Sequence, residues 1–176
     1  MKRGLFDPLF LLVGAAIYSS DQFTKMSIIR AIGPDADRNS IEIVGNWARF
    51  TYATNTGAAF GILPGQPWLF TIIALIAIPA LWYFNARITP RTLLTRICLG
   101  ALLGGALGNL TDRIRLGYVV DFVDVGIDSW RWPAFNIADS AFVVGIFLLA
   151  VFVFLRGEDK TEADAVNESS TGQAHA

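Results

Sequence analysis

The sequence predicts an all-α membrane protein: a bundle of four transmembrane helices with a small β-rich cap on one membrane face. Three observations lead there. Of 176 residues, 53% are hydrophobic and only 16% charged, with a mean hydropathy of +0.48, whereas soluble domains carry roughly 25% charged residues. Four segments approach the ~20 apolar residues that cross a hydrocarbon core as a helix. Finally, the few ionisable groups inside or beside those segments gather at one end of the bundle. Residues 1–156 form one domain. Residues 157–176 hold five acids and a single base, a polar, acidic composition that predicts a disordered tail. Without that tail the chain has 10 acids and 13 bases, so the overall charge of −1 averages a basic body with an acidic end.

The first span covers about residues 5–29. It opens with an apolar run from Leu9 to Tyr18 and continues through Phe23, Met26 and Ile29, interrupted by Asp21 and Lys25. Lys2 and Arg3 resemble the basic region of a cleavable leader, but no A-x-A-like site follows Tyr18, which favours a retained span. The cap follows at about 38–62. Its β-branched and aromatic residues, broken by Gly45-Asn46 and Gly57, predict short strands with a turn. The second span, about 68–86, has no charge and contains Pro79, a kink position. The third, about 92–110, carries Arg96 near one end and Gly100, Gly104 and Gly108 in a small-xxx-small stripe that allows close helix packing. A connection from Thr111 to Trp132 bears Trp130 and Trp132, residues suited to the headgroup interface. The fourth span, about 133–155, has Pro133 suited to its first turn, Asp139 as its one charge and Arg156 beyond its end. Four spans put both termini on one side. Lysines and arginines flanking the spans divide evenly between the two sides, so charge alone does not orient the bundle.

The only histidine is His175, in the tail, and the only cysteine is Cys98. Ser-His-Asp and Cys-His machinery is therefore excluded, as are ordinary zinc sites and a disulfide framework. Nothing suggests a nucleic-acid partner. Ionisable groups inside spans are functional candidates. Asp21 and Lys25, spaced i, i+4, also fit simple mutual neutralisation, and Asp112-Arg113 fits a charged anchor at a span end. Asp139 has no lysine or arginine within a turn or two. Asp121 is the natural second carboxylate, with Asp124 as a competitor. Two close carboxylates share one proton, so one can activate water while the other polarises a peptide carbonyl. A small proton-coupled transporter is the alternative use of the same pair.

Five blocks in order carry a resemblance. They are Asp21-Gln22-Phe23-Thr24-Lys25, Asn55 to Gly61, Gly104 to Arg113, Val119-Val120-Asp121-Phe122 and Phe135-Asn136-Ile137-Ala138-Asp139. Together the chain resembles the lipoprotein signal peptidases, or signal peptidase II. The resemblance implies an intramembrane aspartic endopeptidase of the bacterial inner membrane, needing no cofactor or metal. It would cut diacylglyceryl-modified prolipoproteins just before the lipidated cysteine, within membrane lipid, and be blocked by globomycin. It implies catalytic roles for Asp121 and Asp139 and supporting roles for Asp21, Asn55, Asn109, Asp112, Arg113 and Asn136, with Asn55 and Arg113 expected to hold substrate backbone or lipid carbonyls. Both termini and the acidic tail would be cytoplasmic, with the cap and active site periplasmic. One complete site per chain is simplest as a monomer.

Overall fold

The computed structural model describes residues 6–34, 40–57, 63–89 and 91–173, with side chains to 156. Helix α1, Pro8–Ala31, starts where the Asp7 carboxylate accepts hydrogen bonds from the Leu9 and Phe10 backbone N–H groups, satisfying donors that a helix start leaves open. Helix α2, Pro67–Arg87, has a proline at its first position and Pro79 inside. Helix α3, Leu93–Leu116, begins with a reciprocal capping box between Thr92 and Thr95 and ends at Gly117 in the left-handed region. Helix α4 starts at Ile137 and runs to Gln173.

Helix α3 lies at the centre and touches each of the other three. Its glycines permit this. A methyl built on Gly104 would stand 2.5 Å from the Gly14 carbonyl oxygen of α1, and one on Gly105 would stand 2.6 Å from the Ala138 carbonyl of α4. One core cluster, Phe10, Leu99, Leu102 and Leu103, packs the start of α1 against the first half of α3. A second, Ile28, Ile32 and Phe122, joins the far end of α1 to the cap. Elsewhere the surface is apolar: α2 exposes Ile72, Ile73 and Ile76, and α4 exposes Val143, Phe147 and Phe154. That is the reverse of a soluble surface and suits lipid contact. Among the described residues, α2, α3 and the Ile137–Arg156 part of α4 are long and apolar enough to cross a membrane. Helix α1 has 24 residues, about 36 Å of length at 1.5 Å per residue, but Asp21, Lys25 and Arg30 interrupt its apolar run.

The cap is a four-stranded antiparallel sheet in the order β1-β2-β3-β4, with β1 Ile41–Val44, β2 Ala48–Asn55, β3 Val119–Ile127 and β4 Trp130–Arg131. Residues 38–39 and 58–62 of the expected cap lie outside the described residues, and so does the Ala58–Gly61 part of the second motif block.

Three expectations change. The connection 111–132 is not a plain loop: α3 continues to Leu116, and nine residues then form β3, pairing along β2 from Ala48↔Val125 to Asn55↔Val119. The valine-rich run VVDFVDVGI suits a buried strand, but its partner lies some 70 residues earlier in the chain. Pro133 is not in the first turn of the last helix. Phe135 still pairs with Val123, and α4 starts only after Asn136. Asp139 is thus the third helical residue, at the helix mouth. Finally, the backbone is helical to Gln173 where a disordered tail from 157 was expected. The segment contains no proline, and adding residues to a helix already begun avoids the cost of nucleation.

Candidate active site

The α4 start builds one half of the site. Asn136 caps the helix. Its Oδ1 accepts the Asp139 backbone N–H at 2.8 Å, and the Asp139 carboxylate accepts the Asn136 N–H at 3.3 Å. This reciprocal arrangement has the logic of a capping box. It fixes Asp139 where the positive end of the helix dipole favours a carboxylate. The other Asp139 oxygen accepts a 2.8 Å hydrogen bond from Asn109 Nδ2 of α3.

The sheet builds the other half. Asp121 lies on β3 opposite Ala53. Its two oxygens accept from Asn55 Nδ2 at 3.0 Å and from Asn136 Nδ2 at 2.7 Å. Asn136 therefore holds Asp121 with its amide and Asp139 with its amide oxygen and backbone. Asn55 is itself fixed, accepting the Gly57 N–H at 2.9 Å. Its amide is aimed at Asp121. Burial, then the nearby charge of Asp139, raises the Asp121 carboxyl to about 7, although the Asn55 and Asn136 hydrogen bonds pull it down.

Beneath this pair lies a buried ionic layer. Lys25 Nζ reaches Asp21 at 2.8 Å, Asp112 at 2.9 Å and the Asn109 Oδ1 at 3.0 Å. All three ammonium donors have partners. Asp21 also accepts the Ala138 N–H of α4 at 3.0 Å, and Asp112 accepts the Val120 N–H of β3 at 3.1 Å. Each of these aspartates thus grips the element that carries one of the two central carboxylates. Gln22 donates to Asp112 at 3.0 Å and to the Gly108 carbonyl at 3.2 Å. The i, i+4 pairing of Asp21 and Lys25 was legible in the sequence. The wider role of Lys25, and that of Gln22, was not, because their further partners lie on α3.

Arg113 donates to the Gly57 carbonyl at 3.0 Å and stacks over Phe70, while its buried Nε has no partner among the described residues. Asp124 stands apart. Burial opposes its ionisation, but Arg131 at 2.6 Å and Arg49 at 2.7 Å outweigh this and hold its carboxyl below the ordinary value. With both oxygens engaged by guanidinium groups, it is a structural clamp of the sheet and no partner for Asp139. A cavity of about 210 Å³ opens beside the site, walled mainly by Trp132, Pro133, Phe135 and Val143, with Asn55 and Asp139 at its polar side. Among the described residues no group of three or more His, Cys, Asp or Glu side chains is arranged to hold a metal ion.

The site thus offers two carboxylates, one with raised affinity for a proton, at the edge of an apolar cavity: a general acid and a general base for water attack on an amide. The family model described as Signal peptidase (SPase) II matches residues 13–155. The chain is 37% identical over 166 residues to a lipoprotein signal peptidase of Syntrophus aciditrophicus, covering 92% of this chain and all of that one. It is 44% identical over 138 residues to one of Syntrophomonas wolfei, covering 78% of this chain and 87% of that one. A solved structure described as a bacterial membrane enzyme superposes with a TM-score of 0.77 at 35% identity, over 88% of this chain and 93% of that one. The chain belongs to the signal peptidase II family, the lipoprotein signal peptidases.

Proposed function

We propose that Asp121 and Asp139 are the catalytic pair with which this peptidase removes signal peptides from prolipoproteins. The observation that carries the assignment is Asn136, which donates its side-chain amide to the Asp121 carboxylate and its backbone N–H to the Asp139 carboxylate, and whose amide oxygen accepts the Asp139 N–H. The pair shares a single proton. The ionised carboxylate takes a proton from water as the water oxygen bonds to the scissile carbonyl carbon. The protonated carboxyl gives its proton to the carbonyl oxygen. In collapse of the tetrahedral intermediate the amide nitrogen receives a proton from the pair and the C–N bond breaks, while one hydroxyl of the gem-diol returns its proton to the pair as the C=O bond re-forms, so the pair is again singly protonated. Asn55, Asn109 and Asn136 position the carboxylates. Asp21, Asp112 and Lys25 position α3, α4 and β3 around them. Arg113, fixed at Gly57 O with a donor to spare, is suited to a substrate carbonyl.

The substrate is a prolipoprotein with a diacylglyceryl-bearing cysteine, cut just before that cysteine. Its acyl chains lie in membrane lipid beside the apolar cavity wall of Trp132, Pro133, Phe135 and Val143. All four helices cross the bacterial inner membrane, α1 included, with both termini cytoplasmic and the sheet and site periplasmic. What supports this orientation is the family resemblance and the gathering of the buried charged layer at the sheet end of the bundle. The enzyme acts as a monomer, and globomycin competes for the site. Cleavage of a diacylated prolipoprotein in detergent tests the pair: Asp121→Asn and Asp139→Asn should each lower turnover by at least about 10²-fold, the usual worth of a positioned acid or base. Wild-type turnover in either variant would overturn it.

A further inference from the structure

Both hairpin turns of the cap end at one place. It lies at the opposite end of β2 from Asn55, about 23 Å away at 3.3 Å per residue. There the Gly126 N–H donates to the Trp47 carbonyl at 2.9 Å, Asn46 Nδ2 to Asp128 at 3.2 Å, and Arg131 Nη1 to the Asn46 carbonyl at 3.1 Å. The two turns are therefore one rigid tip. Trp130 is 71% exposed, Ile127 64%, Val44 57%, Trp47 56% and Ile43 50%. A concentrated apolar surface of this kind marks an interaction site.

Three features identify lipid as the occupant. The sheet rests through Phe50, Tyr52 and Phe122 on Ile28 and Ile32 at the end of α1, and α1 exposes Phe23, Met26 and Ile29 beside that junction. The tip thus continues an apolar exterior already suited to lipid. The neighbouring charges have partners within the cap: Asp124 pairs with both Arg49 and Arg131, and Asp128 accepts from Asn46. Glu42 alternates with Ile41 and Ile43 along β1 and so takes the other face. Each turn also carries a tryptophan, whose apolar ring and polar N–H suit the headgroup level.

We propose that the joined hairpin tip seats in the headgroup–acyl boundary of the adjacent leaflet, with Trp47 and Trp130 as anchors. This second membrane contact fixes the height and tilt of the sheet that carries Asp121. The proposal rests on the membrane-spanning reading above, and one experiment separates the two. The full chain is reconstituted in vesicles of phosphatidylcholine and phosphatidylglycerol. Spin labels are placed singly in W47C, W130C and, on the exposed middle of α2, I76C. Collision with oxygen, which enters lipid, is compared with collision with a water-soluble nickel chelate; unsubstituted protein, with buried Cys98, gives the background. We expect I76C to report deep lipid, and both tip labels to favour oxygen and to meet nickel several-fold less than free label in buffer. Nickel access at either tip label equal to that of free label, with I76C in lipid, overturns the tip contact alone. A tip label shielded from both reagents indicates a protein partner and overturns it too. Nickel access at I76C overturns the membrane reading with it. I127C carries the same expectation should W130C fail to fold.

Discussion

Asn109 can turn its amide only one way. Lys25 has no acceptor, so its 3.0 Å contact must be with the Asn109 oxygen, which aims the amide nitrogen at Asp139. A lysine that never touches the carboxylate therefore sets the hydrogen bond the carboxylate receives. Removing it also strands Asp21 and Asp112, both buried. Breaking a buried pair by deleting one partner costs about 3–5 kcal/mol. Lys25→Met should lower thermal stability by that order and lower turnover, both measurable on purified enzyme. Because the Lys25 charge helps keep Asp121 ionised, the alkaline limb of the rate profile should move upward in any active Lys25→Met fraction. An unmoved limb would reduce Lys25 to a packing role.

At the scale of elements, α3 is the part against which the others are fitted. Its glycines bring backbone to backbone: a Cβ on Gly100 would come within 2.7 Å of the Phe10 carbonyl and one on Gly104 within 2.8 Å of the Ile17 Cβ. Gly104→Val must push α1 away. Overpacking of this kind costs about 1–3 kcal/mol, and here it also separates Asp21 and Lys25 from Asp112 and Asn109. Thermal unfolding should show the loss, and turnover should fall with it. Turnover at the wild-type level would mean that the α1–α3 spacing does not matter to the site. The stripe was visible in the sequence as a packing feature. Which helix it met was not, because Gly105, one residue off the stripe, faces α4 instead.

For the whole molecule, two carboxylates at opposite ends shape the response to pH. Asp7 caps α1 and binds Arg96 and Arg91. The Arg96 hydrogen bond, against the cost of burial, lowers it to about 2. A depressed carboxylate stabilises the fold above its unfolded value near 4, and that contribution is lost as pH falls through about 2. Asp121 acts in the opposite sense. It is raised to about 7, so between about 4 and 7 the folded state holds a proton that the unfolded state has released, and its contribution falls as pH rises. Thermal stability measured against pH should therefore peak in the mildly acidic range, and kcat/KM should decline above about pH 7 as the pair loses its shared proton. A profile flat through pH 7 and 8 would contradict the raised Asp121.

The sequence by itself determined the class and the cast. Scarce charge and apolar segments of spanning length dictate a bilayer protein, because the hydrophobic effect acts on composition and periodicity alone. The absence of histidine from the body leaves carboxylates as the acid and base, and five ordered blocks point to the family. Asp121, Asp139 and six supporting polar residues could be named without coordinates. Tertiary structure decided their relations. It separated Asp124 from Asp121, three residues apart in sequence, by placing two arginines from β2 and β4 on one of them. It turned a presumed loop into the strand β3, because strand pairing depends on a partner far away in the chain. It moved the α4 start to Asn136, making the helix cap and the cradle of the carboxylates one structure. It also gave Lys25 its two further partners. Local sequence carries chemistry and period; which groups meet across α1, α3, α4 and the sheet is set by packing.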